Sequence, residues 1–283
     1  MEFGYLRGGR SPAIVGGVGD KTDAAVLVET RDHKMYITLN RPDVLNAQDT
    51  PMREGLVDAF DQLEQDDNLR VAIIRGAGRA FSAGADMKES AHRRASEAES
   101  GGRRTDFGNE HFHRADRLTK PLIAVLHGYA VGGGLEIALC CDLRVATEDA
   151  QLGTPEPRTN GGMPGIAIHR LARMIPTGEA LRIMLTSQPI SGRRAYEIGL
   201  VQEVAPDLES AIAAAERLAD QIIECNPASM TTIKQTARWP LLADVSNSQR
   251  FLELARGGQH RIDRGSFSGA DFLAKRRAER EGK

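Results

Sequence analysis

The chain has few aromatic residues and little net charge, and each shortage limits what it binds. Phe, Trp and Tyr make up 5% of the 283 residues, which argues against the aromatic platforms on which single-stranded nucleic acids stack. The 37 basic and 39 acidic residues give a net charge of -2, so the chain as a whole has no field that attracts nucleic acid or anionic lipid. Neither nucleic acid nor a membrane surface is expected as a partner.

Cysteines and long apolar runs are also scarce. The three cysteines, Cys140, Cys141 and Cys225, form no C-x-x-C pair and have no companion histidine spacing. They predict buried thiols in a reducing compartment rather than disulfides or a metal site. The longest uninterrupted apolar run, residues 122–126, is far shorter than the roughly 18 residues that predict a membrane span, and the first residues lack the apolar core of a signal peptide. A cytoplasmic location is therefore expected.

Glycine is the residue in excess, with 29 in the chain. Six of them fall within the first twenty positions, where no hydrophobic period is sustained. Such a segment buries too little apolar surface to offset its ordering entropy, so residues 1–24 are predicted to be a flexible Gly-rich tail.

The rest of the chain alternates between strand and helix patterns. Residues 26–28 and 35–39 alternate apolar and polar and predict two strands joined by a turn at 31–33. Thr50 followed by Pro51 predicts a helix with Thr50 as its N-cap. Short apolar runs at 71–74 and 122–126 predict strands buried on both faces. A flexible, partly helical loop is expected at 89–117, and the pattern beyond about residue 176 is helical, including segments at 251–255 and 272–280. These patterns predict an α/β core at 25–205 and a helical segment at 206–283.

Two glycine-containing turns follow the two buried strands. Gly132, Gly133 and Gly134 allow a sharp turn that exposes N–H groups at the positive end of a following helix. Residues 82–86 form a second turn of this kind. Two amide donors from separate turns are what one developing oxyanion requires, and each can contribute on the order of 3 kcal/mol to a transition state. A ligand-free tight turn remains the alternative.

Two glutamates stand in unusual positions near these turns. Glu136 interrupts an apolar helical stretch, and Glu156 lies between two prolines that hold the local backbone in a fixed direction. Two carboxylates in one pocket can divide acid and base roles when their environments separate their pKa values. For Glu136, a simple interaction with the helix dipole is an equally open interpretation.

Other candidate motifs fail on their spacing. Residues 76–78 lack the third glycine of a dinucleotide fingerprint, and Ser82 lacks the first glycine of a nucleophile elbow. His111 and His113 are two residues apart and would point to different faces of a helix. His127, at the end of a strand, is interpreted as a core residue.

Taken together, five segments resemble the enoyl-CoA hydratase/isomerase (crotonase) superfamily, from Val26 to the C-terminus. They are ITLNRPDVLNAQD (37–49), VAIIRGAGRAFSAGADMKE (71–89), KPLIAVLHGYAVGGGLEIALCCDLRVATEDAQLGTPE (120–156), SGRRAYEIGLVQEV (191–204) and FLAKRRA (272–278). The resemblance implies an α/β fold, a crotonase-like spiral of ββα units whose C-terminal all-helical segment mediates trimerisation. It implies a homotrimer or a dimer of trimers, with an acyl-CoA as substrate.

The resemblance also implies roles for particular residues. The backbone N–H groups of Ala85 and Gly133 would form the oxyanion hole for the thioester oxygen. The residues that match CoA-binding positions of the family are Ala83, Ala85, Met87, Lys88, Phe272 and Lys275. No metal and no separate cofactor are implied, because coenzyme A is part of the substrate.

Glu136 and Glu156 match both carboxylates of the hydratase branch. The resemblance therefore implies syn addition of water to a trans-2-enoyl-CoA, with Glu136 deprotonating the water that attacks C3 and Glu156 protonating C2. One stretch departs from the family pattern: residues 163–171 read MPGIAIHRL where hydratases usually read PGxGGTQRL. This departure leaves the shape of the acyl pocket and the placement of Glu156 open.

Three alternatives remain at this point. Within the superfamily, the chain fits an enoyl-CoA isomerase, which works with Glu156 alone, or a hydratase or lyase of a specialised acyl-CoA. In a different class, it fits a non-catalytic acyl-CoA or RNA binder, since some relatives bind RNA. The near-neutral charge and the few aromatic residues argue against RNA.

Overall fold

A computed structural model describes residues 23–90, 109–159 and 162–243 of the chain. Its strands are β1 Val26–Arg31, β2 Lys34–Leu39, β3 Val71–Gly76, β4 Leu122–Leu126, β5 Tyr129–Val131, β6 Leu143–Thr147, β7 Gln151–Gly153, β8 Ile190–Ser191 and β9 Glu203–Ala205. Its helices are α1 Thr50–Gln65, α2 Glu110–Arg117, α3 Gly133–Cys140, α4 Glu156–Thr159, α5 Ala167–Met174, α6 Thr177–Thr186, α7 Gly192–Glu197, α8 Leu208–Glu224 and α9 Pro227–Ala243. Strands and helices alternate through most of this part of the chain.

The strands form two sheets. The larger sheet has the order β1-β2-β3-β4-β6-β9, and all of its neighbouring pairs are parallel except the β1–β2 hairpin. Asp32 and His33 make the predicted turn of this hairpin with φ of 48° and 63°, a left-handed backbone that suits a two-residue turn. The smaller sheet has the order β5-β7-β8.

The hydrophobic core lies on both faces of the larger sheet. Along β3, Ala72 and Ile74 join a cluster that includes apolar residues of α1, α2 and α3, whereas Val71 and Ile73 join a second cluster under α8. This division follows from the two-residue period of a strand. The two short apolar runs are therefore buried on both faces, as the sequence pattern predicts.

The N-cap of α1 corrects one sequence-based prediction. The cap is Asp49 rather than Thr50, since the Asp49 side chain accepts a hydrogen bond from the Met52 N–H at 3.0 Å. Thr50 is already helical, and its side chain instead bonds Glu89. Asp and Thr are both common N-cap residues, so the sequence pattern placed the N-cap of α1 one residue too late.

The prediction of an all-helical segment beyond residue 176 is also wrong, because it omits two short strands, β8 and β9. β8 and β9 are only two and three residues long, too short to show a two-residue period. The predicted tail residues 1–22, the loop residues 91–108 and the predicted helices at 251–255 and 272–280 lie outside the described residues. No helix within the described ranges is long and apolar enough to cross a bilayer.

Candidate active site

The two glycine-containing turns meet at one edge of the larger sheet. β3 and β4 are parallel neighbours, so the segments that follow their carboxyl ends leave the sheet on the same side. Beyond these strands, Ser82 forms a parallel bridge with Ala130 of β5. The fold thereby brings the turn at 82–86 against the turn that begins α3.

Gly84 allows the two turns to approach closely. Its φ is +87°, and a Cβ added there would lie 2.7 Å from the Val131 carbonyl oxygen and 2.9 Å from the Gly133 nitrogen. Only glycine fits a backbone contact of this kind. On the other side, the Ala85 nitrogen lies 3.5 Å from the point that a Cβ on Gly133 would occupy. The residues predicted to supply the two amide donors are therefore adjacent.

The N–H groups of Ala85 and Gly133 have no acceptor within the described part of the chain. The neighbouring N–H groups are used: Ala83 donates to Leu45 O at 2.8 Å, and Gly84 donates to Ser82 Oγ at 3.2 Å. Gly133 is the first residue of α3, where a helix N–H has no intrahelical acceptor and carries the positive end of the dipole. This pair of donors suits an anionic oxygen.

Glu136 lies in the first turn of α3 and is buried, with 8% of its surface exposed. The Ala167 N–H donates to its Oε1 at 3.3 Å, which orients the carboxylate. A Cβ added to Gly165 would lie 2.7 Å from the same oxygen. The unusual 163–171 segment thus packs directly on Glu136, and its glycine at 165 makes room for the carboxylate.

Glu156, the first residue of α4, places its carboxylate beside the glycine turn. Its Oε1 lies 3.0 Å from the point that a Cβ on Gly132 would occupy, and its buried Oε2 has no hydrogen-bond partner among the described residues. Burial, and then the negative charge of Glu136, raises the pKa of the Glu156 carboxyl to about 7. The two glutamates therefore interact electrostatically, and Glu156 lies beside the turn that carries the Gly133 donor.

The predicted CoA-binding residues of the first turn lie at its outer side. Met87 and Lys88 are exposed, and Ala83 is half-buried. Phe272 and Lys275, the other two predicted positions, lie outside the described residues.

A salt-bridge network holds the outer side of this turn. Arg41 Nη1 contacts Asp86 Oδ2 at 3.1 Å and Asp49 Oδ2 at 3.2 Å. Asp86 Oδ1 in turn accepts from the Lys88 N–H at 3.0 Å. Burial disfavours the Asp86 carboxylate, but the Arg41 hydrogen bond and the backbone donors outweigh it and lower the pKa of Asp86. The turn is fixed immediately after Ala85.

Two residues that support the turns, Ser82 and Gln48, were not predicted from the sequence to do so. Ser82 is fully buried, and its hydroxyl donates to Asn46 O at 2.8 Å, so it supports the turn. Gln48, 2% exposed, contacts both turns: its N–H donates to Gly84 O at 2.8 Å and its Nε2 donates to Gly133 O at 3.1 Å. For Gln48, the only local indication in the sequence was its polar side chain near the end of the ITLNRPDVLNAQD motif.

The remaining sequence candidates lie elsewhere in the fold. Cys140 and Cys141 are buried free thiols as predicted, and burial raises the pKa of both. The prediction is wrong for Cys225, a free cysteine that is exposed at the end of α8. His111 belongs to α2 and is buried, and burial lowers its pKa to about 3. His127 bonds Gly78 O at 3.0 Å through Nε2. No group of three or more His, Cys, Asp or Glu side chains within 23–90, 109–159 and 162–243 is arranged to hold a metal ion.

Comparison with known proteins gives one consistent family. The family model described as enoyl-CoA hydratase/isomerase matches residues 29–260. A probable enoyl-CoA hydratase of Bacillus subtilis (strain 168) is 39% identical over 198 residues, which cover 70% of this chain and 75% of that protein. A short-chain-enoyl-CoA hydratase of Clostridium acetobutylicum is 31% identical over 256 residues, covering 90% and 96% of the two chains.

A solved structure has the same fold. The crystal structure of enoyl-CoA hydratase from Mycobacterium tuberculosis H37Rv superimposes with a TM-score of 0.68 at 33% sequence identity. The superposition covers 91% of this chain and 97% of that one.

Proposed function

The chain belongs to the enoyl-CoA hydratase/isomerase family, and from this premise we propose that it is an enoyl-CoA hydratase. It adds water in the syn sense to a trans-2-enoyl-CoA and produces a 3-hydroxyacyl-CoA. One observation carries the proposal: two interacting glutamates lie beside two adjacent amide donors that have no acceptor within the described residues.

In this proposal the substrate thioester oxygen accepts from the N–H groups of Ala85 and Gly133. Both donors are held in place before the substrate arrives, and one of them lies at a helix N-terminus. Preorganised donors stabilise the negative charge that develops on this oxygen when C3 is attacked, by on the order of 3 kcal/mol each. The bound thioester thereby becomes electrophilic at C3.

The two glutamates divide the proton transfers. Glu136, oriented by the Ala167 N–H, takes a proton from the water as its oxygen bonds to C3. Glu156 has a pKa raised to about 7 and gives its proton to C2 as the enolate collapses. The C2=C3 π bond, one O–H bond of water and the O–H bond of Glu156 are broken, C3–O and C2–H bonds form, and the proton taken up by Glu136 returns to Glu156 through solvent. These groups provide every proton and all the charge stabilisation of the reaction, so we propose no metal and no separate cofactor.

CoA binding is assigned to the outer side of the first turn. The exposed Lys88 ammonium and the backbone around Ala83 and Met87 present a cation and polar groups to the nucleotide part of the substrate. We further assign Phe272 and Lys275 to the CoA of a neighbouring subunit, on the family resemblance of the FLAKRRA segment. Residues 206–283 then form the contacts of a homotrimer or a dimer of trimers, which sedimentation equilibrium distinguishes from a monomer.

A cytoplasmic location is part of the proposal. Its support is the free state of all three cysteines, including the exposed Cys225, which fits a reducing compartment. The near-neutral charge argues against RNA as a second partner.

The experiment that tests the activity is hydration of crotonyl-CoA, followed by the loss of the conjugated thioester absorbance, with longer enoyl chains in parallel. Wild-type protein should hydrate at least one of these thioesters. The Glu136→Gln variant should lose hydration by about 10²-fold or more, because a general base contributes about 10²–10⁴-fold. Double-bond migration by both proteins, with no hydration by the wild type, would replace the hydratase with an isomerase.

A further inference from the structure

Gln48 stands between the two turns of the site, and it is buried with 2% of its surface exposed. It follows Ala47 in the loop before α1 and forms a parallel bridge with Ala85. Its N–H donates to Gly84 O at 2.8 Å, and its carbonyl oxygen accepts from the Asp86 N–H at 3.2 Å. These two bonds bracket Ala85 on both sides.

The first of these bonds sets the direction of one amide donor. Gly84 C=O and Ala85 N–H belong to the same planar trans peptide, in which the two groups point in opposite directions. Because Gln48 holds Gly84 O, the Ala85 N–H is directed away from Gln48. The hydrogen bond on Gly84 O also polarises the N–H at the other end of the peptide.

The side chain of Gln48 reaches the second donor. Its Nε2 donates to Gly133 O at 3.1 Å, and its Oε1 lies 3.0 Å from the point that a Cβ on Gly133 would occupy. Gly133 has no side chain of its own to pack, so this amide is what fills the space beside its Cα. The position of the Gly133 backbone therefore depends on Gln48.

We propose that Gln48 is a positioning residue for the reaction, because it alone among the described residues bonds both turns and so sets the spacing of the Ala85 and Gly133 N–H groups. This inference rests on the proposed function. Misplacing a reacting group by about 1 Å can cost about 10²-fold in rate. Loss of the hydrogen bond from the Gln48 side chain should displace the two N–H donors by less than about 1 Å, so we expect kcat to fall by about tenfold.

Two variants separate this role from simple packing. Gln48→Met keeps the length and volume of the side chain but removes the donor to Gly133 O. Gln48→Glu keeps the shape and becomes a donor only when its carboxyl is protonated. Gln65→Met, at the exposed last residue of α1, makes the same chemical change outside the site and serves as the control.

The expected kinetic result is a fall in kcat with little change in binding. Gln48→Met should lower kcat for crotonyl-CoA hydration about tenfold while KM changes less than about threefold, since the donors act mainly on the transition state. For Gln48→Glu, the ratio of its kcat to that of the wild type should rise as the pH is lowered. The Gln65→Met control should match the wild type.

A spectroscopic readout tests the geometry without turnover. In the Glu136→Gln background, a bound cinnamoyl-CoA should absorb at longer wavelength than the free thioester, because both amides polarise its carbonyl. Adding Gln48→Met should reduce that shift. An unchanged kcat and an unchanged shift in Gln48→Met, with normal wild-type turnover, would overturn the inference. A wild type without hydratase activity would instead overturn the proposed function.

Discussion

At the scale of single residues, the raised pKa of Glu156 links activity to stability. The carboxyl is held at a pKa of about 7 by burial and by the charge of Glu136, against an ordinary value of 4.5. A folded pKa above the unfolded one means that the folded state binds more protons between these two values. Stability is therefore lost as the pH rises from about 4.5 to about 7, and the group that we propose as the catalytic acid destabilises the fold at neutral pH.

The Glu156→Gln variant should accordingly be inactive and more stable than the wild type. Glutamine imitates the protonated carboxyl, so the free energy of unfolding should exceed that of the wild type by about 2–3 kcal/mol at pH 8 and by less than about 1 kcal/mol at pH 5. Urea denaturation at the two pH values measures the difference. In the wild type, kcat/KM should fall as the pH rises above about 7, because in the proposed mechanism Glu156 must be protonated to act.

The control for this prediction is Glu224→Gln at the exposed end of α8. It removes a carboxylate outside the site, so its free energy of unfolding should differ from that of the wild type by the same amount at both pH values. An equal gain in stability from both variants would mean that the surroundings of Glu156 are not the cause.

At the scale of elements, α3 is held by arginines at the end opposite the site. A helix leaves its last carbonyls without intrahelical donors, and α3 has no basic residue in its last turn. Arg144 donates to Ala138 O and Cys141 O, at 3.3 Å and 2.8 Å. Arg170 donates to Leu139 O at 2.9 Å, and Arg238 donates to Cys140 O. Three buried guanidinium groups thus oppose the negative end of the helix that carries Glu136.

The Arg144→Met variant should lower the free energy of unfolding by about 1–3 kcal/mol. Arg144 also donates to Leu200 O at 2.7 Å. After its loss, Ala138 O still accepts from the Cys141 N–H and Cys141 O still accepts from Arg238, so among the described residues Leu200 O is the carbonyl left without a donor. Arg193→Met, which breaks an exposed pair with Glu148, should cost no more than about 1 kcal/mol. Thermal and urea unfolding of both variants measure this. Equal losses of stability in the two variants would mean that the buried hydrogen bonds of Arg144 contribute nothing to stability.

The arginines at the end of α3 show which contacts sequence patterns do not predict. The strand, turn and helix from 122 to 140 were predictable because each depends on neighbours within a few residues. The donors that complete α3 were not, since Arg170 and Arg238 are about 30 and 100 residues beyond the carbonyls they bond. The same applies to β8 and β9, whose few residues become strands through pairing with β7 and β6.

At the scale of the whole molecule, α8 closes one face of the larger sheet and is tied to the N-terminal hairpin. Its four buried alanines pack on the sheet: Ala211, Ala214, Ala215 and Ala219. At the edge, the buried Lys34 contacts Glu216 at 2.9 Å and Asp220 at 2.6 Å. Burial lowers the pKa of Lys34, but its hydrogen bonds to the two carboxylates outweigh burial and raise it above 10.5.

The Lys34→Met variant should therefore be destabilised by about 1–3 kcal/mol at pH 7, because it leaves two carboxylates without their buried partner. The folded pKa is the higher one, so the contribution of Lys34 is complete below pH 10.5 and is lost as the pH rises further. Urea unfolding at pH 7 measures the loss. Arg217→Met breaks an exposed pair between α8 and Glu203 of β9 and should change stability by less than about 1 kcal/mol; an equal loss in this variant would contradict the prediction.

The crotonase fold and the family resemblance are confirmed by the family match and the solved structure. They were accessible from the amino-acid order because glycine turns after buried strands, and two glutamates at fixed spacing, are local features of the chain. The contacts that make a site of them are not local. Gly84 against Val131 and Gly133, Gln48 across both turns, and the charge of Glu136 acting on Glu156 join residues far apart in the chain. Their distances depend on how the sheet and helices pack, and that packing brings two common turns and two glutamates together at one site.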